Sequence, residues 1–378
     1  MVEWKKLGDV ANLVRGKVIS KDFIRDNAGI YPVYSSQTAN DGVLGYIDSY
    51  MFDGDFLTWT TDGAYAGTIF RRKGRFNITN VCGLMDITDQ RLLQDYLYYW
   101  LSLIAKSYVQ EGMGNPKLMS NVASTILIPI PSLSEQQRIV SILDTFTSSI
   151  SNLKQQIEER RKQYEYERDL LLDLEGKEGV EMKKLGEVFD TRNGYTPSTK
   201  NPDFWEEGTI PWFKMEDIRD NGRVLGDSNL HITPKAIKGK GLFKANSIIL
   251  ATSATIGEHA LITVEHLSNQ RFTNFYPKKK FEGLINMKFV YYYMYLIDEW
   301  CKQHINQGGF ASVDMNGLFS MDFPLLSLQA QSRIVSILDT FEQSISNLEE
   351  QLAMREKQYE YYRNQLLTFE GEEERGKT

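Results

Sequence analysis

Cysteine and histidine are scarce in this chain, and each scarcity excludes a class of protein. Two cysteines among 378 residues, Cys82 and Cys301, fall in different halves and provide no disulfide framework. The four histidines, His231, His259, His266 and His304, show no metal-ligand spacing with either cysteine. No run approaches the roughly 18 apolar residues that span a bilayer. The opening MVEWKKLGDVANLV has neither the apolar stretch nor the cleavage site of a signal peptide. No membrane partner is expected, and the cytoplasm is the simplest compartment.

Catalytic signatures are missing as well. No nucleophile elbow G-x-S-x-G occurs. The Asn/Asp-Pro-Pro-aromatic tetrapeptide of amino-methyltransferases is absent; its nearest approaches, Asn115-Pro116-Lys117 and Asn201-Pro202-Asp203, read as turns. Nothing singles out a two-metal nuclease centre among the scattered carboxylates. The tail GEEERGKT (371–378) satisfies the P-loop pattern letter for letter. That pattern holds phosphate only between a strand and a helix N-terminus. Here a long helix precedes it and three glutamates fill it, so no ATP site is expected. The chain reads as non-catalytic, with no metal and no cofactor of its own.

A basic excess is also missing, since the net charge is −7. It is unevenly spread. Lys+Arg against Asp+Glu is 13 to 13 over residues 1–131, 7 to 10 over 132–178, 17 to 17 over 179–326 and 6 to 10 over 327–378. The two larger blocks are neutral and free to carry basic faces, so net charge neither supports nor excludes a nucleic-acid partner.

What the chain does have is a duplication. Residues 138–176 return at 333–371, an offset of 195, with 26 of 39 positions identical; RIVSILDTF and KQYEY recur unchanged. Both copies carry an apolar stripe at alternating steps of four and three. The first runs Ile139, Leu143, Phe146, Ile150, Leu153, Ile157, Arg160, Tyr164, Glu167, Leu171, Leu174. The second runs Ile334, Leu338, Phe341, Ile345, Leu348, Leu352, Arg355, Tyr359, Tyr362, Leu366, Phe369. A 3.5-residue period predicts coiled-coil helices, each of about 42 residues and roughly 60 Å. Ser134 with Gln137 forms a candidate capping box at the first helix start, and Gly176 and Gly371 are candidate C-caps. One such helix cannot bury its stripe alone, and the other copy is the nearest partner. Arg160 and Arg355 then serve as register devices or as contacts for a third partner.

A second repeat opens each half: WKKLGDV (4–10) matches MKKLGEV (182–188). The blocks between repeats read as mixed α/β, with strands near 126–130 and 247–251 and helices over 96–108 and 287–304. The expected fold is α+β: two mixed α/β domains joined by two long antiparallel coiled-coil helices, pseudo-two-fold symmetric.

Binding signatures also come twice. TTDGAYAGTIFRRKGRF (60–76) couples a turn-rich loop (Thr60, Thr61, Asp62, Tyr65) to Arg71, Arg72, Lys73 and Arg75. In the second block ATSATIGEHAL (251–261) supplies Thr252, Ser253 and Thr255, with basic residues at Lys214, Lys235, Lys238, Lys240, Lys244 and Lys278–Lys280; Lys17 stands near the first block's opening. Small residues let a backbone approach a groove, and Arg or Lys grips phosphate or reads guanine edges. The competing reading of each run is a solvated surface.

At this point the chain resembles the specificity subunit of type I restriction-modification enzymes over nearly its full length. NGYTPSTKNPDFWEEGTIPWFKMEDI (193–218) is similar to that family's recognition-domain opening, in Gly194, Thr196, Pro197, Trp205, Pro211 and Trp212. RGKVISKDFIRDNAGIYPVYSSQ (15–37) resembles a variant of it. IPIPSLSEQQRIVSILD (128–144) and FPLLSLQAQSRIVSILD (323–339) resemble the hinge into the helix; the second departs from it at Leu325 and Ala330. The resemblance implies target recognition domains at 1–131 and 179–326 and conserved spacer helices at 132–178 and 327–378. Each domain would read one half of a split double-stranded DNA site, with the loop and basic residues named above as the DNA-binding candidates. The helices would space the half-sites and dock two modification subunits. Those partners would carry S-adenosylmethionine, and added restriction subunits would use ATP and Mg. The alternatives are a coiled-coil adaptor whose blocks bind protein, and a stand-alone DNA methyltransferase.

Overall fold

The computed structural model describes residues 2–111, 114–306 and 311–369. The P-loop-like tail and Gly371 lie outside the described residues. The chain forms two compact units, divided inside both long helices: one ends at Lys154 and resumes at Glu350, and the other is Gln155–Glu349. Four longer helices organise them: α1 (Gln94–Ile104), α2 (Leu133–Leu172), α3 (Met287–Gln303) and α4 (Leu328–Leu366). Among the described residues, no helix is long and apolar enough to cross a membrane.

The first unit holds β1 (Glu3–Lys6), β2 (Ala11–Arg15), β3 (Ala28–Tyr34), β4 (Val43–Ile47), β5 (Phe52–Thr60), β6 (Ile69–Ile78), β7 (Cys82–Ile87) and β8 (Leu127–Ile130). Six of them form a sheet in the order β2-β7-β5-β6-β3-β4. One face, with Leu57, Trp59, Ile69 and Met85, packs under the aromatic face of α1 (Tyr96, Tyr99, Trp100). The other face buries Phe76, Ile78, Cys82 and Leu84. Buried Tyr and Trp need partners for their polar ends: Tyr96 Oη donates to the Pro129 carbonyl (3.0 Å) and Trp100 Nε1 to that of Leu127 (2.9 Å). The duplicated segment opens in β1, which holds its Trp4, Lys5 and Lys6 and pairs antiparallel with β8; its Leu7–Val10 form a short helix.

The second unit holds β9 (Glu181–Lys184), β10 (Phe189–Asn193), β11 (Ile210–Phe213), β12 (Val224–Leu225), β13 (His231–Ile232), β14 (Ser247–Ala251), β15 (His259–Ile262), β16 (Leu267–Ser268), β17 (Phe272–Pro277), β18 (Ile305–Asn306), β19 (Ser312–Val313) and β20 (Asp322–Leu325). Its main sheet runs β10-β17-β14-β15-β12, and β9 pairs with β20 as β1 does with β8. The first four strands of the two main sheets match: antiparallel throughout, then a parallel neighbour, β3 on β6 and β12 on β15. The blocks share one plan despite little shared sequence.

In each unit the long helices run antiparallel. In the first, Phe146 stacks on Tyr362 (5.3 Å between centroids) and Lys154 meets Glu356 (2.9 Å). In the second, Arg161 meets Glu349 (2.5 Å) and the Tyr164 ring lies 6.3 Å from that of Phe341. Ile139, Leu143, Ile157, Ile334 and Leu338 are buried; Phe146, Ile150, Leu153, Phe341, Ile345, Leu348 and Leu352 are half-buried. Ile139 and Leu143 sit in the core under α1, and Ile334 and Leu338 in the core under α3, so the helix starts serve the blocks as well as the helix pair. Arg355 lies 5.7 Å from the Phe146 ring and Arg160 lies 6.0 Å from that of Phe341. Both guanidiniums are thus taken up by aromatic rings across the pair, the cation–π use of a polar seam residue.

The first helix start differs from expectation by two residues, and the second helix begins in the same way. Ser132, not Ser134, accepts the Glu135 amide (3.3 Å), and Ser327 accepts that of Ala330 (3.2 Å). The register of the first turn therefore begins at the Pro-Ser and Leu-Ser junctions. At the other end α2 stops at Leu172, four residues before Gly176, whose φ of +71° bends the following turn.

Candidate nucleic-acid interface

The two turn-rich loops occupy equivalent places. Each leaves the third strand of its sheet, β5 or β14, and is clamped by a later segment. In the first unit the Thr61 carbonyl accepts the Leu118 amide (3.1 Å), and Asp62 bridges to Lys117. In the second the Thr252 carbonyl accepts the Val313 amide (2.9 Å), and Ser253 bridges to Ser312. Each block also opens with a glycine at a close crossing. A Cβ on Gly16 would lie 2.1 Å from the Ile78 carbonyl oxygen, and one on Gly194 would lie 2.2 Å from that of Asn269. The crossing leaves Lys17, next in the chain, exposed.

The first loop's threonines build it from inside. Thr60 and Thr61 are fully buried; Thr60 Oγ1 donates to the Tyr65 carbonyl and accepts the Thr68 amide (3.0 Å). That leaves Tyr65 at the tip, 57% exposed. Asp62 is half-buried, 3.8 Å from Lys117 Nζ.

The basic run on β6 is answered residue by residue. The antiparallel register sets Asp53 opposite Arg75 and Asp55 opposite Lys73. Arg75 binds Asp53 at 2.8 Å, which holds its guanidinium well above the usual arginine range, and Lys73 lies 3.7 Å from Asp55. Arg71 is a brace. It binds Asp95 (2.7 Å) and Asp144 of α2 (3.2 Å), and lies over Tyr98 and Tyr99. Arg72 is an interior residue, 2% exposed, sandwiched on the Tyr34 ring (3.6 Å) and that of Phe70 (4.3 Å), and bound to Asp41 (2.6 Å). In this conformation Thr60, Thr61 and Arg72 shape the surface rather than present groups on it.

In the second unit, Lys240 stands exposed between Gly239 and Gly241, both at positive φ. Arg192 holds that turn: it donates to the Gly241 carbonyl (2.6 Å) and lies over the Phe243 ring (4.0 Å). Lys279 is exposed. Lys244 pairs with Glu282 (2.6 Å), Lys235 with Asp203 (3.0 Å), and Lys278 Nζ donates to the Gly186 carbonyl (2.6 Å). Lys214 precedes the short helix Met215–Asn221, its amide bonded to Asp217 (2.7 Å). Thr252, Ser253 and Thr255 are half-buried, with Thr252 Oγ1 sharing a hydrogen bond with Thr273 (2.9 Å).

Three residues or residue pairs escaped the sequence reading. Lys117 lies in the Asn-Pro-Lys string that was weighed only as a turn. Arg271 is exposed beside the second loop, its carbonyl accepting the Thr252 amide (3.0 Å). The third is a pair of buried glutamines that join block to helix. Gln136 Oε1 accepts the Leu93 amide (2.8 Å), and Nε2 donates to the Arg91 (2.7 Å) and Pro131 (2.9 Å) carbonyls. Gln331, 195 residues on, repeats all three bonds, with the Asn286 amide (2.7 Å) and the Leu284 and Leu326 carbonyls (both 2.8 Å). Identical residues two positions before each repeat were the available signal.

Comparison with known proteins adds to this geometry. A family described as a type I restriction modification DNA specificity domain matches twice, over residues 1–160 and 177–354. The EcoprrI specificity subunit of Escherichia coli is 48% identical over 209 residues, 52% of this chain and 52% of that one. The EcoR124I/EcoR124II specificity subunit of E. coli is 36% identical over 301 residues, 74% of this chain and 72% of that one. A putative type I specificity subunit of Mycoplasma pneumoniae is 29% identical over 366 residues, 96% of each chain. In fold, the chain is similar to a crystal structure of a type I S subunit from M. genitalium, with a TM-score of 0.61 at 15% identity, over 98% of this chain and 96% of that one. A chain from a study of type I system assembly gives 0.62 at 17% identity, over 97% and 96%.

Proposed function

Because this chain belongs to the type I restriction-modification DNA specificity family, we propose that its two blocks, residues 1–131 and 179–326, each read one half of a split, asymmetric double-stranded DNA site, while the spacer segments 132–178 and 327–378, through α2 and α4, set the gap between the halves. The observation that carries this reading is the repeated loop arrangement, clamped over the same four-strand order and tied to a long helix through the same buried glutamine. Exposed groups supply phosphate grip and edge contacts: Lys17, Tyr65 and Lys117 at the first loop with Lys73 farther along β6, and Arg271 beside the second loop with Lys240 and Lys279 elsewhere on the same unit. The interior residues act through them by fixing loop shape.

The family role is recognition rather than catalysis. S-adenosylmethionine, ATP and Mg would be bound by partner subunits in the cytoplasm. Two copies of one modification subunit fit the way the helices have diverged. The positions just before each seam residue form an outward-facing stripe. Arg138, Ile142, Thr145, Ser149, Asn152, Gln156, Gln163 and Tyr166 recur unchanged as Arg333, Ile337, Thr340, Ser344, Asn347, Gln351, Gln358 and Tyr361; over that length only Glu159 differs, as Met354. Most of these side chains are exposed, Tyr166 by 67% and Tyr361 by 59%. Helix packing does not require identity at exposed positions, whereas one partner gripped twice does. Restriction subunits would join the same assembly.

The test is methylation mapping of genomic DNA from cells expressing the chain with its modification subunit. Exchange of the exposed tip 62–66 for a relative's tip should alter the bases of one half-site and leave the other unchanged. Changes in both halves would overturn independent reading, and methylation without any sequence motif would favour the protein-binding adaptor.

A further inference from the structure

The near-identity of the two long helices creates a pairing problem that the fold must solve. Any surface by which α2 accepts α4 is, to a first approximation, a surface by which α2 accepts the α2 of a second copy, and likewise for α4. Few seam positions discriminate, since Ile139, Leu143, Phe146, Ile150 and Leu153 recur unchanged. Shape and apolar burial therefore separate the correct pair from the two like pairs chiefly at Tyr362, which stacks on Phe146 and is Glu167 in the other copy.

A stronger discrimination, one of charge sign, lies beside the seam. Lys154 pairs with Glu356 at 2.9 Å, and Arg161 pairs with Glu349 at 2.5 Å. Under the offset of 195, Lys154 corresponds to Glu349 and Arg161 to Glu356. Thus the two ion pairs are one contact seen twice, and the repeat has reversed its charge between copies: both positions are basic on α2 and both acidic on α4. In an α2–α2 pair of the same antiparallel register, Lys154 of each chain would face Arg161 of the other. In an α4–α4 pair, Glu349 would face Glu356, again twice. All four favourable contacts of two correctly folded chains become like-charge contacts.

We propose that these four charges choose the partner of each long helix, accepting the other long helix of the same chain and turning away the like helix of a second copy. The inference is independent of what the blocks bind. Exposed pairs of this kind contribute little to stability singly, but their sign decides between assemblies that are otherwise nearly equivalent, the role that charges flanking a coiled-coil seam play in partner choice.

Two double substitutions invert the preference without touching the seam. R161E/E356K turns both pairs within one chain into like charges and makes every contact of the like-helix pairs opposite in sign. K154E/E349K does the same from the other side. All four side chains are well exposed, from 44% to 61%, so the helices tolerate the changes. The full-length chain is co-expressed with two different tags, and the share of one tag recovered through the other is measured. Both variants should raise that share about tenfold or more over the unsubstituted chain in low salt, and lose most of the gain at 1 M salt. The quadruple variant K154E/R161E/E349K/E356R, which restores opposite charges within the chain, should return to the unsubstituted level. Both double variants remaining at the unsubstituted level, or the quadruple variant associating as strongly as they do, would overturn the proposal.

Discussion

Replacing Gln136 by leucine tests how each block is fixed to its helix. The side chain is fully buried, and its amide makes three hydrogen bonds of 2.7–2.9 Å to main-chain groups of Leu93, Arg91 and Pro131. Leucine fills similar space but leaves one N–H and two C=O groups without those partners, away from water. Each such group costs about 1–3 kcal/mol, with a carbonyl's second lone pair and small main-chain shifts softening the total. The added apolar burial returns about 1–2 kcal/mol. A net loss of about 3 kcal/mol follows, a large fraction of the roughly 5–15 kcal/mol that holds a domain folded. The loss should be confined to the first unit. Hydrogen exchange of the full chain reads it directly: the Leu93 amide and α1 should exchange about a hundredfold faster, with α3 unchanged. Q331L should do the reverse, exposing the Asn286 amide and loosening α3. Unchanged protection of Leu93 in Q136L would refute the assignment of these bonds as the joint.

Removing one heptad from both helices across the pair, residues 151–157 and the facing 353–359, keeps the seam in phase while shortening it by about 10 Å; methylation mapping should show a gap shorter by about three base pairs with the same half-site bases. Altered bases with an unchanged gap would contradict a spacing role. The second unit should also lose stability in acid through His266. Burial, opposed by a hydrogen bond to the Val264 carbonyl (2.9 Å), depresses this histidine from 6.5 to about 4. The unfolded chain therefore takes up the proton first. Stability is complete above pH 6.5, falls through the window from 6.5 to 4, and changes no further from this group below 4. The accumulated loss is about 3 kcal/mol. H266Q should flatten that part of a denaturant-midpoint profile, and an unflattened profile would assign the acid sensitivity elsewhere.

The long helices were legible because a heptad stripe is written in residue type alone, and because the chain supplies its own comparison at an offset of 195. Their ends were less legible. Ser132 and Ser134 both offer a hydroxyl before an apolar run, and the choice of Ser132 follows from the preceding proline and from where Gln136 must point. The strand order of the blocks was not legible. Pairing of β5 with β7 and of β2 with β7 depends on partners tens of residues apart, and short buried strands such as Ser247–Ala251 have no alternation from which to read an edge or a centre.

The candidate interface shows the opposite weakness. A run such as RRKGR advertises charge, and charge along a sequence says nothing about what stands across a hairpin. Asp53 and Asp55 lie about twenty residues earlier, yet the register of β5 on β6 brings them opposite Arg75 and Lys73. The same alternation that exposes Lys73 turns Arg72 inward onto Tyr34 and Phe70. A cation already neutralised at 2.8 Å contributes less to phosphate affinity than an unpaired one, because its partner must be displaced first. Lys240, held out between two glycines by Arg192, has no ion-pair partner among the described residues. Composition therefore overstates the first block's basic face relative to the second's, although both blocks are neutral by count.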